Sequence, residues 1–406
     1  MTDVAQLAEQ VARRSYGRLL ALLAAPTGNI AAAEDALADA FERALAGWPA
    51  SGVPDNPEGW LLTVARNRLR DLYKSSAFRT TAELDDADTM VAELAQFDDL
   101  DRPDFDSIPD KRLALLFVCA HPAVDASIRT ALMLQTVLGF ESAQIAVAFA
   151  VPEAAMAQRL VRAKKRIRVA RIPFVVPTLA DMPTRLPAVL EAIYGAYAID
   201  WQGVAGSSVR ESMSAEALYL ATTLAALLAN EPEAFGLEAL IALSLSRAAA
   251  RADGTPIEEQ DPELWDAALI DRGEGALRRA HSLGRIGRFQ LEAAIQSAHC
   301  ARRDGQPTDY LALRKLYTAL VAIAPTLGAR VSLAAVVGET DGPDVALVEL
   351  NRIDAPRFQP LWATRAHLLE RAGHPAEAVA AYEKAISLTT DRVSRERLRS
   401  SLERAR

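Results

Sequence analysis

Apolar residues recur at helical spacing along most of the chain, and the clearest stripe lies between Glu141 and Arg171. Met156, Leu160, Ala163 and Ile167 step by four, three and four, which puts them on one helix face. Ile145 and Phe149, four apart, share a face of a shorter helix just before it. Ala150-Val151-Pro152 interrupts the pattern between them, and proline suits the first turn of a helix rather than a later one. Gly139 fits the left-handed residue that ends a preceding helix. The spacing predicts two helices with a tight break over 141–171.

The same reading extends in both directions. Residues 4–25 predict a helix, with Leu7, Val11, Leu19 and Leu22 apolar, and Pro26-Thr27-Gly28-Asn29 a turn. A second helix runs from Ile30 to Ala46 on Ala36, Leu37, Ala40, Phe41 and Leu45. Gly47 to Pro57 holds three prolines and two glycines, which predicts a loop containing Trp48 and Asn56. A third helix opens at Glu58 on Leu61, Ala65, Leu69 and Leu72. Residues 80–110 carry little core of their own and read as a linker. Lys111 starts a short helix ending at Pro122, and Asp125–Leu138 another, with Ile128, Leu132 and Leu134 apolar. Residues 172–184 are a connector punctuated by prolines, and helices with short breaks fill 185–406. Over Leu361–Leu388 the small residues Ala366, Gly373, Ala378 and Ala385 would let two helices approach, with Trp362 and Tyr382 filling the outer spaces. That stretch resembles a tetratricopeptide repeat, with weaker echoes at 310–350 and 264–298.

Composition agrees with an all-α fold of two or three domains: 406 residues, rich in alanine and leucine, with 6% aromatics. No apolar run reaches about 18 residues, so no membrane span is expected. The N-terminus lacks a signal-peptide core, and two distant cysteines, Cys119 and Cys300, suit reduced thiols in a cytoplasm. The net charge of −8 is unevenly spread. Residues 80–110 hold eleven acids and one base, whereas 111–171 hold three acids and ten bases. A compact cationic segment in an acidic protein is what nucleic-acid affinity requires.

The polar faces then become candidate chemistry. Opposite the buried stripe, Gln158, Arg162 and Lys165 form one line, and Arg159, Arg162 and Arg166 another. This is a helix-turn-helix pattern whose second helix is placed to enter a major groove. Gln158, Arg159 and Arg162 can reach base edges, while Lys164, Lys165, Arg166 and Arg168 suit phosphates. The competing reading is a solvated basic face near a helix C-terminus. On the second helix Asp35, Asp39 and Glu42 share a face, which solvation alone would explain. On the third, Arg66, Arg70 and Lys74 lie four apart. Cys119 and His121 invite a metal, but no second pair lies at ligand spacing. No nucleophile elbow, phosphate loop or zinc motif occurs, so the pattern calls for no enzyme, catalytic residue, metal or cofactor.

Two stretches upstream of that motif, Glu34-Asp-Ala-Leu-Ala-Asp-Ala-Phe41 and Trp60-Leu-Leu-Thr-Val-Ala-Arg-Asn67, complete a set of three in a fixed order. Together they resemble the extracytoplasmic-function group of bacterial sigma factors over roughly residues 1–171. The resemblance implies that Asp35 and Asp39 dock on core RNA polymerase. It implies that residues 1–79 melt and hold the minus-ten promoter element through Arg66, Asn67 and Arg70, with Lys74 on the same stripe. The acidic 80–110 would be the linker between promoter-reading domains, and 111–171 would read the minus-thirty-five element. Trp48 is open between a core and a base-stacking role, and Trp60 reads as core. Two features depart from the group: the run after Asn67 is only thinly basic, and Val151-Pro152 stands where a Ser or Thr cap is common. The helical 185–406 resembles the C-terminal tetratricopeptide-like extension of one subgroup, implying a regulatory domain with a protein partner. A helix-turn-helix regulator that never joins polymerase is the competing function, its first three helices then forming a sensing domain.

Overall fold

The computed structural model describes residues 15–17, 19–24, 29–79, 110–169, 177–201, 207–251, 255–389 and 392–406. The side chains of residues 74–79, 111, 168, 200–201 and 207–212 are outside that description. The linker reading of 80–110 and the start of the first helix therefore fall, but for Asp110 and residues 15–17 and 19–24, outside it. All described regular structure is helical, with no strand among the described residues. The chain divides into two compact units, 1–228 and 229–406.

In the first unit, residues 15–17 and 19–24 are helical and bury Leu19, Leu20 and Leu23. Helix α1 (Ile30–Ser51) starts at Asn29, whose Oδ1 accepts from the Ala32 amide at 3.1 Å. It pairs with α2 (Pro57–Arg79) across Ala33, Leu37, Ala40 and Ala44 on one side and Leu61, Ala65 and Leu69 on the other, all buried. The loop expected from Gly47 is corrected here. Helix α1 runs through Gly47, Trp48 and Pro49 to Ser51, and only residues 52–56 connect it to α2. Trp48, 2% exposed, explains the extension. Its ring meets Trp60 edge-on at 5.5 Å, and burying an indole outweighs one hydrogen bond lost to Pro49 in a last turn.

Helices α3 (Lys111–Cys119), α4 (Ala126–Thr136), α5 (Ser142–Ala148) and α6 (Glu153–Val169) follow. Asp110 and Asp125 cap α3 and α4 through their side-chain oxygens. Gly139, at φ +73°, ends the α4 region as its type allows. Met156, Leu160, Ala163 and Ile167 are buried, as their spacing predicts. Phe149 is 39% exposed and does not share the burial of Ile145.

Helices α7 (Met182–Trp201) and α8 (Ser207–Leu227) belong to this unit rather than to a separate 185–406 domain, and α7 begins within the last residues of the expected 172–184 connector. Helix α7 lies on α3, α4 and α5, burying Leu186, Val189, Leu190, Ile193 and Tyr197. Gly195 sits on Leu134, and Arg185 Nη1 donates to the Phe117 carbonyl at 3.0 Å. From α8, Glu216 pairs with Arg112, whose other face bonds Asp110 at 2.9 Å.

The second unit is a succession of neighbouring helices. Nearly all of α9 (Pro232–Leu245) is buried, between α10 (Ala267–Ser282) and α11 (Arg288–Cys300). Glu233 caps α11 by accepting from the Phe289 and Gln290 amides at 2.9 and 3.1 Å. Then come α12 (Tyr310–Ile323), α13 (Leu327–Thr340), α14 (Pro343–Asn351), α15 (Gln359–Arg371), α16 (Pro375–Leu388) and α17 (Arg392–Ala405), each packed on the one before. Ala366, Ala378 and Ala385 are fully buried between α15 and α16, which is the close approach their size predicts. Gly373 has a different role from the one expected, forming the left-handed turn after α15 at φ +79°.

Candidate nucleic-acid and polymerase surfaces

The break between α5 and α6 is made by a Schellman-like turn. The Val151 amide donates to the Ala146 carbonyl at 3.0 Å, and Ala150 adopts φ +52°. The Pro152 carbonyl then accepts the first bonds of α6, from the Ala155 and Met156 amides. With its apolar stripe held against α4, α6 turns its other face outward. Gln158, Arg159, Arg162, Lys165 and Arg166 are all exposed. Arg162 Nη2 donates to Gln158 Oε1 at 3.3 Å, a loose bond that leaves most of the guanidinium available. Arg159, Arg162 and Arg166 also line a cleft of about 310 Å³ against the start of α4, at Asp125 and Ser127. Asp125 accepts from the Ser127 amide and hydroxyl, which holds its carboxyl below the usual range.

Lys164 is separate from this face. Its Nζ lies 2.7 and 2.6 Å from the two oxygens of Glu34 on α1, both side chains being largely buried. Burial pushes the Glu34 carboxyl up against the downward pull of Lys164. Beneath them Cys119 is buried, its thiol pushed up to about 12 by burial and then by Glu34.

On α1, Asp35 is exposed, as is Glu42. Asp39 is 38% exposed and bonds Arg68 Nε of α2 at 2.5 Å. On α2, Asn67 is exposed, its Oδ1 accepting from Arg70 Nη1 at 3.4 Å, and Arg66 and Arg70 are half-buried. The Lys74 side chain falls outside the described ones. The structure therefore groups the five predicted α6 residues on one open face. The acids of α1 and the cations of α2 lie on neighbouring helices, joined by Arg68. Sequence reasoning missed Arg68, Glu34 and the Lys164 partnership. Lys164 sits at the edge of the buried stripe rather than opposite it, and that offset is the signal that could have found it.

In the second unit a cleft of about 960 Å³ is lined by Tyr310, Tyr317, Tyr382, His299 and His367, among others. Glu259, on its rim, pairs with Arg397 of α17 at 2.5 Å. His299 is driven down to about 4 by burial and then by Arg247 and Arg302, so it is neutral at physiological pH. Among the described residues no helix is long and apolar enough to cross a membrane, and no three His, Cys, Asp or Glu side chains cluster as metal ligands would.

Two family profiles match the chain. Residues 8–79 match sigma-70 region 2, and residues 185–281 match a family of unknown function (DUF6596). Uncharacterized protein R00370 of Rhizobium meliloti (strain 1021) is 35% identical over 374 residues, 89% of this chain and 87% of that protein. No solved structure matches the chain. The chain thus belongs to one family with R00370, and the sigma-70 region 2 at its N-terminus marks it as a sigma factor family.

Proposed function

We propose that the protein is a sigma factor of the extracytoplasmic-function group with a built-in C-terminal regulatory domain. Residues 1–79 dock on core RNA polymerase through Asp35 and Asp39 and hold the melted minus-ten element with Arg66, Asn67, Arg70 and Lys74. A separated strand needs cationic backbone contacts of this kind. Residues 111–171 act as a helix-turn-helix on the minus-thirty-five duplex, Gln158, Arg159 and Arg162 meeting base edges and Lys165 and Arg166 the phosphates. Residues 80–110 link the two. The helices of 185–406, tetratricopeptide-like in the second unit, tune initiation by engaging a protein partner. The factor works in the cytoplasm, without a cofactor and without chemistry of its own.

The observation that carries this reading is the order of parts: sigma-70 region 2, then a helix presenting Gln158, Arg159, Arg162, Lys165 and Arg166 together to solvent. The test is co-purification with core polymerase followed by run-off transcription on genomic fragments. Specific start sites that depend on the chain are expected. DNA binding without retention on core polymerase would favour the regulator that acts alone.

A further inference from the structure

The cleft of about 960 Å³ in the second unit is a ring rather than an open groove. Its wall passes from α11 through α12, α13, α15 and α16 to α17, each packed on the next. In a plain helical solenoid each repeat touches only its neighbours, so the last helix never meets the first segments. Here the two ends are tied. Arg302, just past α11, donates to the carbonyls of Ile257 and Gln260, which fixes the segment 256–260 at one end of the wall. Glu259 of that segment pairs with Arg397 of α17 at 2.5 Å, 138 residues away in the chain. An extended peptide needs a groove open at both ends, whereas a compact molecule fits within a closed ring.

The lining is chemically uneven. Tyr310 and Tyr317, seven apart on α12, share a helix face and both line the cleft. Burial, and then the carboxylates of Glu258 and Glu339, push the Tyr310 hydroxyl up. Burial does the same to Tyr317 against the pull of a hydrogen bond with Ser332, and Glu292 and Glu258 add to the rise. Both rings therefore stay un-ionised beside carboxylates. The described lining holds four glutamates and three arginines. Arg371 and Arg397 are held by Glu339 and Glu259, which cancels two charges of each sign. Arg404 Nη2 donates to Ser401 Oγ at 2.9 Å, and Glu370 accepts from the Tyr382 hydroxyl at 2.7 Å, both at the far end. Glu258 makes no ion pair with another described residue, so the Tyr310 end keeps a negative charge.

We propose that this ring binds a small organic cation, an ammonium or guanidinium head on an apolar body. The head lies against the Tyr310 and Tyr317 faces, whose quadrupoles attract positive charge, with Glu258 as its counter-ion. The body rests on Leu313, Val336 and Leu368, which line the same cleft. Clefts of about 300–1,000 Å³ are the usual size for ligands of this kind. The site stands on the second unit alone; its use, as the signal to which the regulatory domain responds, rests on the sigma-factor reading.

Isothermal titration calorimetry of the full chain with phenethylammonium, 2-phenylethanol and phenylacetate separates the charge of the head from the body. Phenethylammonium should bind about ten-fold or more tightly than the alcohol, and phenylacetate should not bind measurably. Glu258→Gln, at an exposed position, should remove that preference with the thermal midpoint nearly unchanged. Tyr310→Leu should weaken the amine about ten-fold and the alcohol little, while Tyr310→Phe, which keeps the ring, should bind as the wild type does. Should Tyr310→Leu lose helicity, Glu258→Gln alone decides. No binding of the amine, equal affinity for amine and alcohol, or a preference untouched by Glu258→Gln overturns the site. So does a lysine-rich peptide that binds more tightly than the amine and loses its hold with Glu258→Gln, which would make the cleft a docking groove. Run-off transcription with and without phenethylammonium reads the use. Initiation unchanged by bound amine, or a chain that never joins core polymerase, keeps the site and sinks only its purpose.

Discussion

Ala150 holds a left-handed backbone that costs an L-residue about 1 kcal/mol or more, and it does so at the turn that aims α6. Ala150→Gly should therefore stabilise the protein by up to about 1 kcal/mol, the relief of strain being offset by glycine's greater unfolded freedom. Urea unfolding followed by circular dichroism measures it, and a loss of stability would contradict the strain argument. His299 makes a second prediction. In the unfolded chain its imidazole takes up a proton near pH 6.5, whereas the folded one resists until about pH 4. Between those values the unfolded state binds more protons, so stability falls as the pH is lowered, by up to about 3 kcal/mol. Replacing His299 by Gln should flatten that part of the pH–stability curve.

At the level of elements, α1 shows where pattern reading succeeds and where it stops. The apolar stripe of Ala36, Leu37 and Ala40 locates the helix and its buried face. Its end could not be read, because two glycines and three prolines outweigh local helix propensity until a distant indole partner is known. Trp60, eleven residues past Pro49, supplies that partner, and the pairing decides Trp48 in favour of the core. Trp48→Ala should cost about 3–5 kcal/mol by denaturant unfolding, and Trp48→Phe much less. For α6 the stripe and the cationic face were both legible, because a period of 3.6 separates them within one helix. The Glu34–Lys164 pair was not, since nothing local links residues 130 apart in the chain. Arg162→Ala should weaken binding to upstream promoter duplex by about 1–3 kcal/mol in a gel-shift titration while leaving the thermal midpoint nearly unchanged. Loss of folding instead would mean that its exposed side chain does structural work.

For the whole molecule, the division after Leu228 changes what a truncation means. The sequence places the end of the DNA-binding region at Arg171, with a connector beyond. The structure lays α7 across α3 and α4, where Leu186, Val189, Leu190 and Ile193 leave water. A chain ending at Arg171 should be less stable than one ending at Leu228 by on the order of 5 kcal/mol, from the exposed partners of those side chains. Thermal melts of the two compare them directly, and equal midpoints would show that α7 contributes no stability to α3–α6. The DUF6596 stretch, 185–281, starts in the first unit and ends in the second. Its first helices are a lining for α3–α5 and its last ones a foundation for the helices that follow. Anyone grafting α3–α6 onto a foreign host should cut at the seam after Leu228 and carry α7 and α8 along. A graft joined at the earlier proline-rich stretch would leave Leu134 and its neighbours bare, and such transplants should precipitate before any question of promoter choice arises.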